Sequence, residues 1–167
     1  MSIMVSFSSF GGMKMSAQKY LISDVLKGEL GFKGFTVSDW KAIDQISGDY
    51  YRDVVTSINA GMDMNMVPYD YPKFIDAMTN AINAGDISME RIDDAVGRIL
   101  RVKFMMGLFE HPFSNQPYKA AVGSDEHRAL ARQAVSESQV LLKNDNQTLP
   151  LKKDTPHIFV AGASAND

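Results

Sequence analysis

Gly31-Phe32-Lys33-Gly34-Phe35-Thr36-Val37-Ser38-Asp39-Trp40 is a short apolar run opened by glycines and closed by a carboxylate and the only tryptophan of the chain. Its β-branched and aromatic residues predict a strand over Gly34 to Ser38. Upstream, Ser16 predicts an N-cap for a helix to about Leu30, with Tyr20, Leu21, Val25 and Leu26 as its stripe and Gly31 as its stop. Before that helix, Ile3 to Phe7 reads as a buried strand leading into Ser8-Ser9-Phe10-Gly11-Gly12. Downstream, Tyr50 to Ala60 predicts a helix stopped by Gly61, and Met62 to Val67 a third strand broken by Pro68. Two more helices follow, Pro72 to Ala84 and one capped by Ser88 that ends at Gly107. The second should turn Ile92, Ala95, Ile99 and Val102 or Met106 inward. Regular alternation of strand and helix predicts an α/β fold of βα units on a parallel sheet.

The text changes after Leu108. Proline, asparagine, glycine and aromatic residues fill 109–123, which reads as a linker. Ser124 then opens a helix whose inner face should hold His127, Leu130, Ala131, Ala134 and Val135. Gln139 to Lys143 and His157 to Ala161 read as strands, although two strands do not make a stable sheet.

Composition narrows the functional classes. Apolar residues make up 45% and charged residues 22%, with a net charge of −3, so neither nucleic acid nor an anionic membrane is an expected partner. No run reaches the roughly 18 apolar residues that a membrane span needs. With no cysteine, disulfides and thiolate metal sites drop out. No histidine pair has ligand spacing, and neither a metal nor a cofactor is expected. The opening Met1-Ser2-Ile3-Met4-Val5-Ser6-Phe7 has no basic lead and no long apolar stretch, so no secretory signal is expected here, and a start inside a core strand suggests a piece of something longer. Eleven methionines read as gap-fillers of a core.

In parallel α/β folds the reacting groups gather where strands end. Asp39 stands at such an end, next to Trp40. A carboxylate there can attack an anomeric carbon while an indole stacks on a sugar ring. Asp39 reads equally well as the cap of a following turn, with Trp40 covering the rim. Asp44, Asp49 and Asp53 are expected to be solvated. Asp63 is expected to be a structural acceptor, and Asp93 and Asp94 to pair with Arg91, Arg98 or Arg101.

Residues Gly31 to Trp40 resemble the nucleophile signature of family 3 glycoside hydrolases, Gly-Phe-x-Gly-Phe-Val-x-Ser-Asp-Trp. Ala60-Gly61-Met62-Asp63-Met64-Asn65-Met66, Arg91 to Leu100, Lys103 to Phe109 and Val140 to Asn144 resemble further family segments in the family's order. The resemblance covers nearly the whole chain and is closest to plant exo-β-glucanases and β-glucosidases. It implies the last three βα units of a TIM-type (β/α)8 barrel over 1–108, a linker over 109–123, and the beginning of an α/β sandwich domain over 124–167. Asp39 would then be the nucleophile of a retaining β-glucosidase. Trp40 would form one wall of the sugar slot and Met66 would touch the glucosyl unit. Phe7 stands where the family usually has tyrosine, and Phe10 and Gly11 replace a tryptophan and an asparagine. Ser16 stands where the plant branch often has histidine.

The acid/base glutamate and the residues that hold the sugar hydroxyls would lie outside these 167 residues. The expected partners are therefore a β-glucoside or β-glucan oligosaccharide and the remainder of the same enzyme. A secreted or cell-wall location is implied by the resemblance alone. A non-catalytic carbohydrate-binding or vestigial module is the alternative, motivated by Phe7, Phe10 and Ser16. A dinucleotide-binding turn at Gly162 lacks the further glycine, the helix and the acid that such a turn requires.

Overall fold

Parallel pairing around Phe35–Val37 organises the first part of the chain. The computed structural model describes residues 1–113 and 116–165. Strand β1 (Ser2–Met4) lies parallel to β4 (Phe35–Val37), with Ser2 opposite Phe35, Ile3 opposite Thr36 and Met4 opposite Val37. Val5 extends the ladder by donating its N–H to the Val37 carbonyl at 2.8 Å. On the other flank of β4, Val37 forms a parallel bridge with Met64. The expected strand Met62 to Val67 is thus pared to a single bridge. Pairing on one side alone leaves it without a second ladder to hold it extended.

Between β1 and β4 the chain makes a small antiparallel hairpin, β2 (Ser9–Phe10) and β3 (Met13–Lys14). Its two turn residues, Gly11 (φ 58°) and Gly12 (φ 82°), are both left-handed, as a type I′ turn requires. The expected Ser16 cap does not form. Ser16 is buried in a 3-10 turn over Met15–Ala17, and a π-helix over Tyr20–Glu29 starts from Lys19 without a side-chain cap. The cause is Gln18, whose amide donates to the carbonyls of Phe10 (2.7 Å) and Met13 (3.3 Å) and whose backbone (φ −82°, ψ 78°) departs from helical values.

Three α-helices follow. Helix α1 (Tyr50–Ala60) is capped by Asp49 and ends at left-handed Gly61, and α2 (Tyr71–Ala84) is capped by Asp70 and ends at left-handed Gly85. Helix α3 (Met89–Met105) is capped by Ser88 and buries Ala95 and Val102, whereas Met106 is exposed. Of the three, α1 packs against α2, and α3 against β4. Ile43, Val54, Ile58, Ala77, Ala81 and Ile87 form one core cluster, and Val5, Ile22, Ala60 and Met62 a second one under β1. Each buried isoleucine or valine contributes about 1.5–3 kcal/mol.

The chain divides into two compact units, Met1–Ser114 and Asn115–Asp167. The second contains a 3-10 segment over Gln116–Ala121, helix α4 (Asp125–Ser138) capped by Ser124, and a short 3-10 turn over Asp145–Gln147. Ser124 caps as expected, but the face expected to turn inward does not: no residue of α4 is buried, and Leu130 and Val135 are exposed. The expected strands at Gln139–Lys143 and His157–Ala161 do not form either. Among the described residues neither has a partner to supply a ladder, and Leu142 and Phe159 lie open to solvent.

Candidate active site

Where β4 ends, the chain turns sharply. Ser38 is fully buried, Asp39 is half-buried and Trp40 is 54% exposed. The Trp40 N–H donates to Asp39 Oδ1 at 2.6 Å, so the carboxylate stands upright against its own turn. Asp39 also closes the turn through its carbonyl, which accepts the Ala42 N–H at 3.2 Å. Lys41 takes a left-handed backbone (φ 54°, ψ 21°) and starts a 3-10 segment over Ala42–Gln45. Asp39 is therefore the turn-former of one sequence reading, and its carboxylate is half-buried at the strand end.

The neighbouring loop is tied to this turn at two points. Met66 donates its N–H to Ser38 Oγ at 2.8 Å, and its carbonyl accepts the Lys41 N–H at 3.2 Å. Three residues on, Tyr69 sets its ring edge-on to Trp40, with centroids 6.2 Å apart and planes at 85°. Lys41 Nζ lies 5.8 Å above the Tyr69 ring. Of the residues singled out from sequence, Asp39, Trp40 and Met66 thus come together. Phe7 follows β1 at the same strand ends but is linked less directly. Its carbonyl accepts from Lys14 Nζ at 3.5 Å, and the same ammonium reaches Gln45 Oε1 at 3.2 Å. Sequence reasoning missed Ser38, Lys41 and Tyr69. Tyr69 follows Pro68 at the strand exit, a place where an aromatic residue is left at a rim.

A cleft of about 200 Å³ opens beside this edge, lined by Lys41, Asp44, Tyr50, Tyr69, Asp70 and Lys73. Burial raises the Tyr50 pKa above its ordinary 10.0, and the charges of Asp44 and Asp70 add to the effect. Lys73 Nζ sits 4.5 Å above the Tyr50 ring. Among the described residues no three histidines, aspartates or glutamates converge as a metal site would need.

Beneath the edge, Asp63 is the buried acceptor that the sequence suggested. Its side chain is fully enclosed and takes hydrogen bonds from Lys27 Nζ (2.7 and 2.9 Å), Thr36 N (2.8 Å), Thr36 Oγ1 (3.1 Å) and Arg91. Burial is the largest influence on Lys27 and pulls its pKa below the ordinary 10.5, while the hydrogen bond and charge of Asp63 push it back up. Arg91 also pairs with Asp94, which Arg98 holds at 2.9 Å. Arg98 in turn donates to the carbonyls of Phe32 (2.8 Å) and Gly34 (3.1 Å), at the foot of β4. Asp53 departs from the expectation of a solvated carboxylate. It is 1% exposed and accepts from Ser47 N (2.8 Å) and Ser47 Oγ (2.5 Å), folding the loop after Trp40 back onto α1. Asp49, also expected to be merely solvated, caps α1.

Residues 1–102 match the model of the glycosyl hydrolase family 3 N-terminal domain. The chain belongs to glycosyl hydrolase family 3. Among family 3 relatives, a periplasmic β-glucosidase of Salmonella typhimurium is 38% identical over 91% of this chain and 21% of its own length. An exo-1,3/1,4-β-glucanase from a Pseudoalteromonas species, solved as a crystal structure, is 42% identical with a TM-score of 0.71, over 90% of this chain and 19% of its own. A β-glucosidase from Listeria innocua, solved with gluconolactone, is 33% identical with a TM-score of 0.68, over 90% of this chain and 21% of its own. The family 3 chain described here spans about a fifth of the length of the curated relatives that it matches.

Proposed function

We propose that this chain is the nucleophile-bearing part of a retaining β-glucosidase or β-glucanase. The observation that carries the reading is a half-exposed carboxylate, Asp39, at the end of a central parallel strand, with Trp40 and Met66 beside it in a family 3 chain. β1, β4 and the Met62 to Val67 segment are taken as the last three strands of an eight-stranded barrel, 109–123 as a linker and 124–167 as the start of an α/β sandwich. The relatives' names support the substrate class. The Listeria enzyme has been solved with glucose, and its D270A variant with laminaribiose. Relatives named periplasmic and lysosomal support a compartment outside the cytosol.

In this reading Asp39 attacks the anomeric carbon of a terminal β-glucosyl unit as the glycosidic C–O bond breaks. The leaving oxygen takes a proton from a glutamate that other polypeptide of the enzyme supplies. Water then attacks the covalent glycosyl-aspartate from the opposite side while giving a proton to that same glutamate, which releases glucose with retained configuration and restores both carboxyl groups. Trp40 offers the indole wall and Met66 a polarisable contact to the ring. Phe7 offers an aromatic edge without the hydroxyl of a tyrosine. A second reading, a module that holds sugar without hydrolysing it, is favoured by Phe7 and Phe10 at the first loop.

The test exchanges these residues for the matching segment of the Salmonella enzyme. The chimera should hydrolyse an aryl β-glucoside, and Asp39→Asn should lower kcat by about 10³-fold or more. A fluorinated, activated β-glucoside should leave its sugar on Asp39, read by peptide mass. A folded chimera equally active with Asp39→Asn would refute the assignment. One that binds glucose without hydrolysis would favour the second reading.

A further inference from the structure

Parallel strands hold one another by evenly spaced backbone hydrogen bonds, and the ladder beside β4 runs only as far as Ser38. Met64 donates to the Thr36 carbonyl at 3.0 Å, and the Ser38 N–H donates to the Met64 carbonyl at 2.9 Å. One step further, β4 has turned away into Asp39–Trp40, and the Met66 N–H has no strand carbonyl to meet. A side chain takes the place of that carbonyl. Ser38 Oγ accepts the Met66 N–H at 2.8 Å and sends its own proton to the Asp39 carbonyl at 3.0 Å, so the hydroxyl both accepts and donates. On its other side the Met66 carbonyl accepts the Lys41 N–H at 3.2 Å. The Met66 peptide is therefore gripped from both residues that bracket Asp39–Trp40.

We infer that Ser38 is a positioning residue whose single hydroxyl fixes the Met66–Tyr69 loop against the Asp39–Trp40 turn. Its role in the reaction rests on the reading of Asp39 as nucleophile, but its mechanical role does not. Ser38 is fully buried, so water is not at hand to replace the hydroxyl. Without it the Met66 amide loses its acceptor and the Asp39 carbonyl one of its donors, and the loop is free to slide. Tyr69 rides on that loop and touches Trp40, so the slide shows at the indole as well as at the carboxylate.

Trp40 is the only tryptophan, which makes its fluorescence a direct readout. In this chain, Ser38→Ala should shift Trp40 emission to the red and raise acrylamide quenching, toward a ceiling just under twofold set by a ring already 54% exposed. Far-UV circular dichroism should stay native. Ser57→Ala removes an equally buried hydroxyl, bonded to the Val54 carbonyl within α1. It should lower the melting temperature and leave Trp40 unchanged. In the chimera, Ser38→Ala should lower kcat by about 10- to 100-fold with little change in KM, as displacement of a reacting group does.

Trp40 emission and quenching indistinguishable from wild type in a folded Ser38→Ala chain would overturn the inference. Should that variant not fold, hydrogen exchange on the wild type decides. The Met66 amide must be protected alongside Met64, and exchange at the rate of an open loop would overturn the latch. If Trp40 responds while no sugar is ever trapped on Asp39, the latch stands and the hydrolase reading falls.

Discussion

Replacing Asp63 with alanine should cost this chain more than any single change at its exposed edge. The carboxylate is fully enclosed and has two cationic partners, Lys27 and Arg91, which are themselves 7% and 15% exposed. Its removal leaves Lys27 with only the Gly61 carbonyl at 2.7 Å, and strips the Thr36 N–H of its acceptor. Breaking a buried pair in this way costs about 3–5 kcal/mol, chiefly because a charge remains without its partner. For a chain of this length that is a fall of about 6–20 °C in melting temperature. The double variant Asp63→Ala with Lys27→Met removes one orphaned cation and should recover part of the loss. The deficit should also narrow as pH rises. With Asp63 gone, the influences that raise the Lys27 pKa go too, so the folded form releases its proton further below 10.5 than the unfolded form does. Between those two values the unfolded state binds more protons, and stability rises with pH. Urea titrations of the three chains from neutral to alkaline pH provide the assay. An Asp63→Ala midpoint within experimental error of wild type, or a deficit that Lys27→Met leaves untouched, would refute the reasoning.

Further expectations concern the frame around the site. Gly34→Ala should destabilise strongly, because a Cβ there would come 2.0 Å from the Met1 carbonyl oxygen and 2.6 Å from the Phe32 ring, and thermal melting reads the loss. Asp53→Ala should cost about 1–3 kcal/mol by freeing the two Ser47 donors, and proteolysis within the loop after Trp40 should quicken measurably. Burial acts to raise the Asp94 pKa, but the hydrogen bonds from Arg98 and Arg91 outweigh it and hold the carboxyl below its ordinary 3.8. Its contribution to stability is therefore present above pH 3.8 and lost as pH falls through the folded value. Asp94→Asn should flatten the acid limb of the stability profile in that window and lower stability modestly at neutral pH.

The helices were legible in the sequence because their ends are written in single residues. Ser88 and Ser124 cap where expected, and Gly61 and Gly85 stop α1 and α2 in left-handed geometry. The Ser16 cap was misread because Gln18 is committed to hairpin carbonyls, a tertiary demand that no local pattern carries. Strand propensity at Gln139–Lys143 and His157–Ala161 was real but insufficient, since a strand exists only with a partner. At the site, Asp39 and its neighbour Trp40 could be named from their place after a strand, and Met66 from the family resemblance. Tyr69 and Ser38 could not, because what matters in each is a contact across a loop with no fixed spacing. Asp53 was misjudged for a related reason: it lies on the buried face of α1 with Ser57 and Ala60, and the Ser47 donors that satisfy its carboxylate come from a loop.

The buried charges and the half-buried Asp39 sit at different levels of one short strand. Arg98 grips the Phe32 and Gly34 carbonyls where β4 begins, Asp63 holds Thr36 midway, and Asp39 stands half-buried beyond the last residue. What keeps the chain folded and what stands at the end of its strand are thus almost separate inheritances. The exposed side chains of Trp40 and Tyr69 can be varied with little risk to the frame. The same freedom does not extend to Arg98, Asp63 or Gly34, on which the frame itself depends.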